Sequence, residues 1–185
     1  MSKLLLTTPL SGLIVSSLHT EDQVQLSGMV YTARDAAHKR FVALIDKGDK
    51  LPVDLSGQVL YYCGPTPAKP GRPSGGSAGP TTSARMDAYT PKLLEATGLR
   101  AMIGKGERSS SVVDAMIKYG CVYFAATGGA GAFIAKSIRS STVVCFEDLG
   151  PEAVFRFEVR NMPLIVAIDS KGNDLYKEGP AGYRK

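Results

Sequence analysis

Two arginines and a lysine stand in short segments that combine a cation with glycines or hydroxyl side chains. Arg34 follows the apolar run MVYTA, Arg85 follows three hydroxyl residues in GPTTSARMD, and Lys105 stands between two glycines in MIGKGERSSS. A guanidinium group matches a carboxylate with two parallel hydrogen bonds, and a lysine flanked by glycines can approach a ligand closely. These residues predict a site that binds a small doubly negative acid through its carboxylates.

Three consecutive hydroxyl residues, Thr81, Thr82 and Ser83, stand where a short helical turn would begin. The unpaired amides at such a start and the positive end of the helix dipole favour an anion. Capping of the turn needs only one hydroxyl and leaves Arg85 unexplained. We therefore predict that this segment is an anion site.

Arg34 and His38 are four residues apart and would share one face of a helix. Arg34 stands where a strand gives way to that helix, which is the edge at which α/β domains usually bind ligands. Lys39 and Arg40 fit a solvated basic helix start. His38 either belongs to the site or packs its ring against the sheet.

Two glycine-rich segments only partly resemble nucleotide-binding loops. Gly106 stands where a phosphate loop of the Walker type needs Ser or Thr, and Ile134 stands where a dinucleotide turn needs its third glycine. Gly128, Gly129 and Gly131 fit close packing as well as a second anion contact. No Ser-His-Asp or Cys-His set and no metal-binding pattern stands out, so the sequence predicts half an active site.

The three cysteines, Cys63, Cys121 and Cys145, are widely and unequally spaced and form no C-x-x-C pair. Their number and spacing argue against a disulfide framework and favour a reducing cytoplasm. Each lies in an apolar, strand-like run, where a free cysteine is typically buried. Three thiolates could instead hold an iron-sulfur cluster, but cluster ligands belong on converging loops, so we favour burial in the core.

The elements that must position these residues alternate between strands and helices, which predicts an α/β fold. Apolar runs predict strands beginning near Met29, Val59, Ala101, Cys121, Thr142, Phe155 and Leu164. Helices are predicted over 34–46, from the cap Thr90 to Gly98, from a Ser111–Asp114 capping box to Gly120, and over 132–138.

The length of 185 residues, with 44% hydrophobic and 21% charged residues, predicts one domain over 1–185. Its longest irregular stretch, 64–80, is rich in Pro and Gly and is predicted to be a binding loop. The net charge of +5 is scattered, which argues against nucleic acid. No stretch approaches the roughly 18 apolar residues of a membrane span. The interrupted apolar start indicates mature sequence and a cytoplasmic protein.

These motifs together resemble one family. The run YYCGPTPAKPGRPSGGSAGPTTSARMD, preceded by YTARDAAH and followed by GLRAMIGKGER, resembles the C-terminal domain, or separate β subunit, of class I iron-sulfur fumarases and the related tartrate dehydratases. The resemblance extends from TTPL near the start to LIVAIDSKGN near the end.

The resemblance implies a swivelling β/β/α domain with a central sheet flanked by helices. It also implies a partner, a fumarase-type α subunit, whose cysteines hold a 4Fe-4S cluster. The two chains would form a hetero-oligomer, and this chain would be inactive without the α subunit. The isolated chain would be a homodimer. The reaction would be reversible hydration of fumarate to malate, with one open iron as Lewis acid for the hydroxyl group.

The resemblance also assigns roles to residues. The substrate-binding set would be Arg34, Thr82, Arg85, Lys105 and His38. Lys105 would also act in catalysis with the arginines, by stabilising the enolate-like charge. Thr81 would move the carbon-bound proton together with a carboxylate of the other subunit, since a threonine hydroxyl is a very weak base.

Two alternatives stay open. Tartrate dehydratase β subunits share these motifs, although PAKPGRPSGGSAGP looks more like the loop of fumarases. The glycine turns and the positive charge would also suit a non-catalytic module that binds an anion or a nucleotide and regulates a partner.

Overall fold

The computed structural model describes residues 3–67, 76–127, 129 and 131–181, and in this part seven strands alternate with six α-helices. The strands are β1 (Leu4–Thr7), β2 (Gln23–Thr32), β3 (Val59–Tyr61), β4 (Ala101–Gly104), β5 (Val122–Ala125), β6 (Ile138–Cys145) and β7 (Val154–Ile168). The helices are α1 (Gly12–Ser17), α2 (Asp35–Lys47), α3 (Thr90–Thr97), α4 (Ser110–Tyr119), α5 (Gly131–Ala135) and α6 (Leu175–Ala181). Short 3-10 helices span Ser83–Met86 and Glu147–Glu152.

The described strands form one sheet that closes on itself. Strands β1 to β5 are parallel and lie in chain order, and the long strand β7 runs antiparallel to its neighbours. Near its end β7 pairs with β5, where Ile168 faces Tyr123, and over most of its length it pairs with β2. Strand β6 pairs with β7 at the edge. The predicted α/β fold, with a central sheet flanked by helices, is confirmed.

The residues around β3 show how the sheet divides the apolar side chains. Tyr61 and Cys63 belong to the core enclosed by the strands, whereas Leu60 and Tyr62 belong to the core under the helices. This division follows from the strand itself, since successive side chains point to opposite faces. Helices α2, α3 and α4 cover the outer face, with buried residues such as Phe41 on α2. Both faces of β3, β4 and β5 are therefore buried, which explains their nearly continuous apolar runs.

The apolar runs at Phe155 and Leu164 form one strand and not two, so that prediction is wrong. Strand β7 continues through Pro163, which faces Gln25 of β2. The pairing with β2 shifts its register nearby, and Asn161 adopts a left-handed φ of 53°. This irregularity lets a long strand pass through residues that usually interrupt one. The sequence also left β1 unassigned, although it pairs in parallel with β2.

The predicted ends of α3 and α4 are correct and their predicted starts are not, whereas the helix predicted over 132–138 ends early, at Ala135, because β6 begins at Ile138. Gly98 and Gly120 end α3 and α4 in the left-handed region, with φ of 65° and 66°. Thr90, predicted as a cap, lies inside α3, because the N-cap is Tyr89. The hydroxyl of Thr90 donates instead to the Met86 carbonyl, at 2.9 Å.

The predicted capping box at Ser111 and Asp114 is also wrong. Helix α4 begins earlier, at Ser110, with Ser109 as its N-cap and no capping bond from the Ser109 side chain. The Ser109 amide donates to the distant carboxylate of Asp87, at 2.7 Å. The amide of the N-cap residue therefore finds its acceptor in a distant part of the chain, whereas the capping box predicted an acceptor within the helix.

The proline- and glycine-rich loop is described only at its two arms, because 68–75 lies outside the described residues. The Thr66 amide donates to the Ser77 carbonyl at 3.0 Å, which joins the arms. The Ala78 carbonyl accepts a hydrogen bond of 2.6 Å from the buried Tyr61 hydroxyl. The arms are thus paired with each other and fastened to the sheet.

The longest described helix, α2, has 13 residues. A helix that spans a bilayer needs roughly 20 mostly apolar residues. The helices in the described ranges accordingly include none that is long and apolar enough to cross a membrane.

A short segment after the loop continues the sheet beyond the end of β4. Thr82 forms an isolated parallel bridge with Lys105, and the Ser83 amide donates to the Lys105 carbonyl at 2.9 Å. This approach requires glycine at position 104, because a Cβ there would overlap the Ser83 hydroxyl and lie 3.0 Å from Cδ2 of Tyr62. The absent side chain of Gly104 therefore sets the distance between the two segments.

We expect Gly104→Ala to lower the free energy of unfolding by about 1–3 kcal/mol, because the added methyl group overpacks this contact. Urea unfolding of the purified chain measures the change. The control is Gly12→Ala in α1, where the nearest atom to the new Cβ is Nη2 of Arg100, at 3.9 Å. Equal unfolding free energies for the two variants would contradict the packing argument.

Candidate active site

The predicted site residues follow the carboxyl ends of neighbouring parallel strands. Arg34 comes two residues after β2, and Lys105 directly follows β4. Between them, the Thr81 amide donates to the carbonyl of Tyr62, just after β3, at 2.7 Å. Carboxyl ends of adjacent parallel strands meet at one edge of a sheet, where α/β proteins bind ligands. The fold therefore brings Arg34, Thr81 and Lys105 to the same edge.

Arg34 is the N-cap residue of α2 and is held against a glycine and a glutamate. Its Nη2 lies 3.5 Å from Oε1 of Glu152, and 23% of its side chain is exposed. A Cβ on Gly64 would lie 2.8 Å from Nη1 of Arg34, so glycine is needed beside the guanidinium group. The other oxygen of Glu152 accepts a hydrogen bond from the Ala36 amide, at 3.0 Å. Glu152 thus holds both the arginine and the start of its helix.

Arg85, in the hydroxyl-rich segment 79–87, also contacts the start of α2. Its Nε donates to Oδ1 of Asp35 at 2.9 Å, and about half of its side chain is exposed. Asp35 directly follows Arg34, so this ion pair links Arg85 to the start of α2, where Arg34 is the N-cap residue. The terminal nitrogens of Arg85 form no hydrogen bond with the described residues. They are the part of the fork that can take two oxygens of a carboxylate.

Lys105 is half-buried, and within the described ranges no carboxylate lies in ion-pair distance of it. Its backbone is fixed by the pairing with Thr82 and Ser83. Gly106 follows with φ of 81°, a left-handed conformation that favours glycine. The glycines therefore have separate reasons: Gly104 allows close packing, and Gly106 allows the turn after the lysine.

Unpartnered polar atoms concentrate at the start of α2. Four buried side-chain polar atoms in the described part of the chain lack a hydrogen-bond partner, and three of them are Arg34 Nε, Asp35 Oδ2 and His38 Nε2. Each such group is costly to bury without a partner. One donor and two acceptors within the N-cap and first turn of α2 make this place a candidate for polar ligand binding.

His38 is fully buried and packs its ring edge-on against Tyr62, with 5.3 Å between ring centroids. Its Nδ1 lies 2.9 Å from the Arg34 carbonyl, which can only accept, so Nδ1 carries the proton. Burial lowers the pKa of His38 from 6.5 to about 4. The ring packing left open by the sequence is therefore observed, and a contact of His38 with substrate stays a prediction.

The predicted anion site at the hydroxyl segment needs correction. The amides of Thr81 and Ser83 donate to the carbonyls of Tyr62 and Lys105, at 2.7 and 2.9 Å. The helix that follows is a 3-10 turn of only four residues. These two amides are therefore not free to bind an anion, and the segment contributes side chains: Thr81 is half-buried and Thr82 is exposed.

The glycine cluster after β5 has a packing role at Gly131, where Cβ would lie 3.0 Å from the Gly79 amide nitrogen. The Gly131 carbonyl also accepts a hydrogen bond from the Ala78 amide, at 3.2 Å. Close packing, one of the two explanations left open, is thus confirmed at this position. Gly128 lies outside the described residues.

The cysteines lie at the ends of strands. Cys63 and Cys121 are fully buried and Cys145 is half-buried, so the prediction of core cysteines is confirmed for the first two. Burial raises the pKa of Cys63 and of Cys121 to about 12 and that of Cys145 to about 11. These three side chains stand at three different strands, and the described part of the chain contains no cluster of His, Cys, Asp or Glu that could hold a metal ion. The cysteines therefore do not fit as ligands of an iron-sulfur cluster.

Four residues at the site escaped the sequence analysis: Asp35, Asp87, Arg108 and Glu152. Asp87 and Arg108 stand inside the quoted motifs SARMD and GKGER, and their pairing across 21 positions has no local signature. Glu152 belongs to an irregular segment far along the chain, next to Pro151. The only available signal was a carboxylate residue that neighbours a predicted arginine in the sequence. That signal could have indicated Asp35, next to Arg34, and none of the other three residues.

The structure defines an α/β domain with a candidate ligand site at one edge of its sheet, and comparison with known proteins gives the family. The model of the family described as Fumarase C-terminus matches residues 2–179, so the chain belongs to this family. The resemblance to this family that the sequence motifs predicted is thus confirmed.

The relatives fall into two kinds of chain. The "Putative L(+)-tartrate dehydratase subunit beta" of Methanocaldococcus jannaschii is 41% identical over 168 residues, which cover 89% of this chain and 86% of that protein. "Fumarate hydratase class I, anaerobic" of Escherichia coli and "Fumarate hydratase 2" of Leishmania major are 38% and 40% identical. These matches cover 89% and 84% of this chain but only 30% and 28% of the two relatives. The chain therefore spans less than a third of the length of these fumarate hydratases.

We expect the buried His38 to make stability depend on pH. Because its folded pKa of about 4 lies below the unfolded value of 6.5, only the unfolded chain binds this proton between those values. Stability is therefore lost as the pH falls through this window. The free energy of unfolding of the wild type, relative to that of His38→Gln, should fall by about 2 kcal/mol between pH 7 and pH 5.

Urea unfolding at the two pH values measures this difference. The matched control His19→Gln removes the exposed histidine and should keep the wild-type pH dependence. A difference between wild type and His38→Gln that is the same at both pH values would show that His38 is not held neutral by burial.

Proposed function

We propose that this chain is the β subunit of a hydro-lyase that hydrates fumarate to malate reversibly. The observation that supports this most is the grouping of Arg34, Arg85 and Lys105 at one sheet edge, in a chain of the fumarase C-terminus family. The site would be shared with an α subunit, so that neither chain is active alone. The separate β subunit among the relatives supports this division of labour.

The cations would bind the two carboxylates of the substrate. Asp35 and Glu152 already lie against the two arginines, which shows that both guanidinium groups can meet carboxylate oxygens at this edge. The three cations and these two carboxylates leave one net positive charge, and Lys105 is the cation without an ion pair in the described part. A dianion would be attracted to this site and oriented by the guanidinium groups of Arg34 and Arg85. Thr82 and His38 are further predicted contacts.

Catalysis would require stabilising the charge that forms when a carbon-bound proton is removed. The electrons of that bond move into the adjacent carboxylate, and a fixed ammonium or guanidinium group stabilises the enolate-like product. Lys105 suits this role because its backbone is held by the bridge with Thr82 and by the hydrogen bond from the Ser83 amide to the Lys105 carbonyl. Thr81, whose amide is held by Tyr62, would move the proton with a carboxylate of the partner chain.

A 4Fe-4S cluster, which the resemblance to class I fumarases implies, would be carried by the α subunit. The cysteines of this chain do not fit as its ligands, because they stand at three different strands and form no metal-binding group in the described residues. We assign the cluster to the partner for this reason, and binding and proton transfer to the residues of this chain. The same reasoning suits a protein of the cytoplasm, where thiols stay reduced.

A tartrate dehydratase β subunit is the second candidate. The relative from Methanocaldococcus jannaschii supports it, because that chain is similar to this one over most of both lengths. Tartrate and malate differ by one hydroxyl group, and the same cations would bind the carboxylates of either. The choice between them depends on contacts to that hydroxyl group.

We expect the complex of this chain with its α subunit to hydrate fumarate, and Arg85→Ala to lower kcat/KM by about 100-fold while the subunits still associate. Loss of a charge-assisted, two-pronged contact has about this size. The assay follows fumarate and malate, with L(+)-tartrate as the competing substrate. Arg40→Ala is the matched control, since Arg40 is an exposed arginine paired with Asp148.

Near-normal efficiency of Arg85→Ala would remove Arg85 from the site. A complex that acts on tartrate and not on fumarate would favour the second candidate. Inactivity towards every diacid, with submicromolar nucleotide binding by the isolated chain in calorimetry, would replace both candidates with a regulatory nucleotide-binding module.

We expect single replacements of Cys63, Cys121 and Cys145 by Ala to leave the iron and sulfide content of the assembled complex unchanged. The reason is that these thiols are buried and protonated. Iron and acid-labile sulfide analysis, with the complex carrying a cysteine-depleted α subunit as the control, measures this. Loss of iron on any of the three replacements would overturn the assignment of the cluster to the partner.

A further inference from the structure

Arg108 is a buried arginine that the proposed chemistry does not use. Only 5% of the residue is exposed, and its guanidinium group lies 5.2 Å from the ring centroids of both Tyr62 and Tyr123. Its Nε donates to Asp87 at 2.8 Å and its Nη2 donates to the Thr90 hydroxyl at 3.0 Å. A charge buried this deeply needs such partners to offset its lost hydration.

The partner of Arg108 connects two parts of the candidate site. One oxygen of Asp87 accepts from Arg108, and the other accepts from the Ser109 amide at 2.7 Å. Asp87 ends the segment that carries Thr81, Thr82 and Arg85, whereas Arg108 and Ser109 end the turn that carries Lys105. The ion pair therefore joins the two segments.

A second set of contacts, made by Tyr123, joins the same two segments, the one with Ser83 and the one with Gly106. The Tyr123 hydroxyl lies 2.8 Å from the Ser83 hydroxyl and donates to the Gly106 carbonyl at 3.0 Å. The Tyr123 ring is one of the two that enclose Arg108. With the Ser83 amide on the Lys105 carbonyl, these contacts form a continuous path from Arg108 to the backbone of the lysine.

We propose that Arg108 is a positioning residue, which fixes Lys105 relative to the Thr81–Arg85 segment through Asp87 and Tyr123. It touches no substrate and acts through these neighbours. The consequence for catalysis rests on the proposed function, while the geometric role does not. A buried ion pair adds little net stability compared with apolar residues of similar size, so its effect falls on geometry.

The test uses the double variant Asp87→Asn/Arg108→Met, which removes the pair without leaving one charge buried alone. In the isolated chain, hydrogen exchange of the Ser83 amide should accelerate by about tenfold or more relative to the Tyr62 amide. The Tyr62 amide pairs with the Ile103 carbonyl inside the sheet and reports overall opening. Arg108→Lys, which can still meet Asp87, should restore part of the protection and serves if the double variant does not fold.

The control is Arg100→Ala, which removes an arginine bound to the carbonyls of Tyr119 and Gly120 at the other end of α4. It should lower the free energy of unfolding and leave the exchange ratio of Ser83 to Tyr62 unchanged. In the assembled complex, the double variant should raise KM for the diacid and lower kcat, by about tenfold or more in kcat/KM, and Arg100→Ala should change neither.

An unchanged exchange ratio in the double variant or in Arg108→Lys would overturn the proposal. Altered exchange with kcat/KM within twofold of the wild type would also overturn it, since the geometry would then not matter for the reaction. If the wild-type complex acts on no diacid, the proposed function fails separately, and the exchange ratio still decides whether Arg108 fixes the two segments.

Discussion

The contact between Ser83 and Gly104 is the constraint on which the site depends. The hydroxyl of Ser83 occupies the space that any side chain at position 104 would fill. With Ser83 in this position, its amide reaches the Lys105 carbonyl and Thr82 pairs with Lys105. A missing side chain thus joins the end of β4 to a segment that returns from a long loop. The hydroxyls and Arg85 come to the lysine for this reason.

The charges at this edge are balanced in pairs. Each arginine of the site meets a carboxylate of its own chain, and each of those carboxylates is also tied to helix α2: Asp35 is its first residue, and Glu152 accepts from the Ala36 amide. Such pairs hold long flexible side chains in place at the cost of neutralising part of their charge. Lys105 is left as the net positive group, held by its backbone and not by an ion pair of the described part.

Several positions could be read from the sequence because their reasons are local. Arg34 was placed at a strand-to-helix junction and Lys105 after a strand, and both lie there. Gly98 and Gly120 end helices because they adopt left-handed φ, which the residue type itself favours. Asp87 and Arg108 could not be found in this way, because neither residue type nor spacing indicates that two charges 21 positions apart are buried together. The amides of Thr81 and Ser83 were misjudged for the same reason: their acceptors are residues that follow the ends of β3 and β4.

The amino-acid sequence by itself determined the alternation of elements, the helix ends, the family motifs and the kinds of charge that the site offers, because these depend on residue type and short spacing. The tertiary structure alone decided which carboxylate meets which arginine, that β7 is one strand closing the sheet against β2 and β5, and that Arg108 is buried against Tyr62 and Tyr123. These features join residues far apart in the chain. They arise only when the sheet closes, since packing and hydrogen bonding then choose among many partners that are equivalent in the sequence.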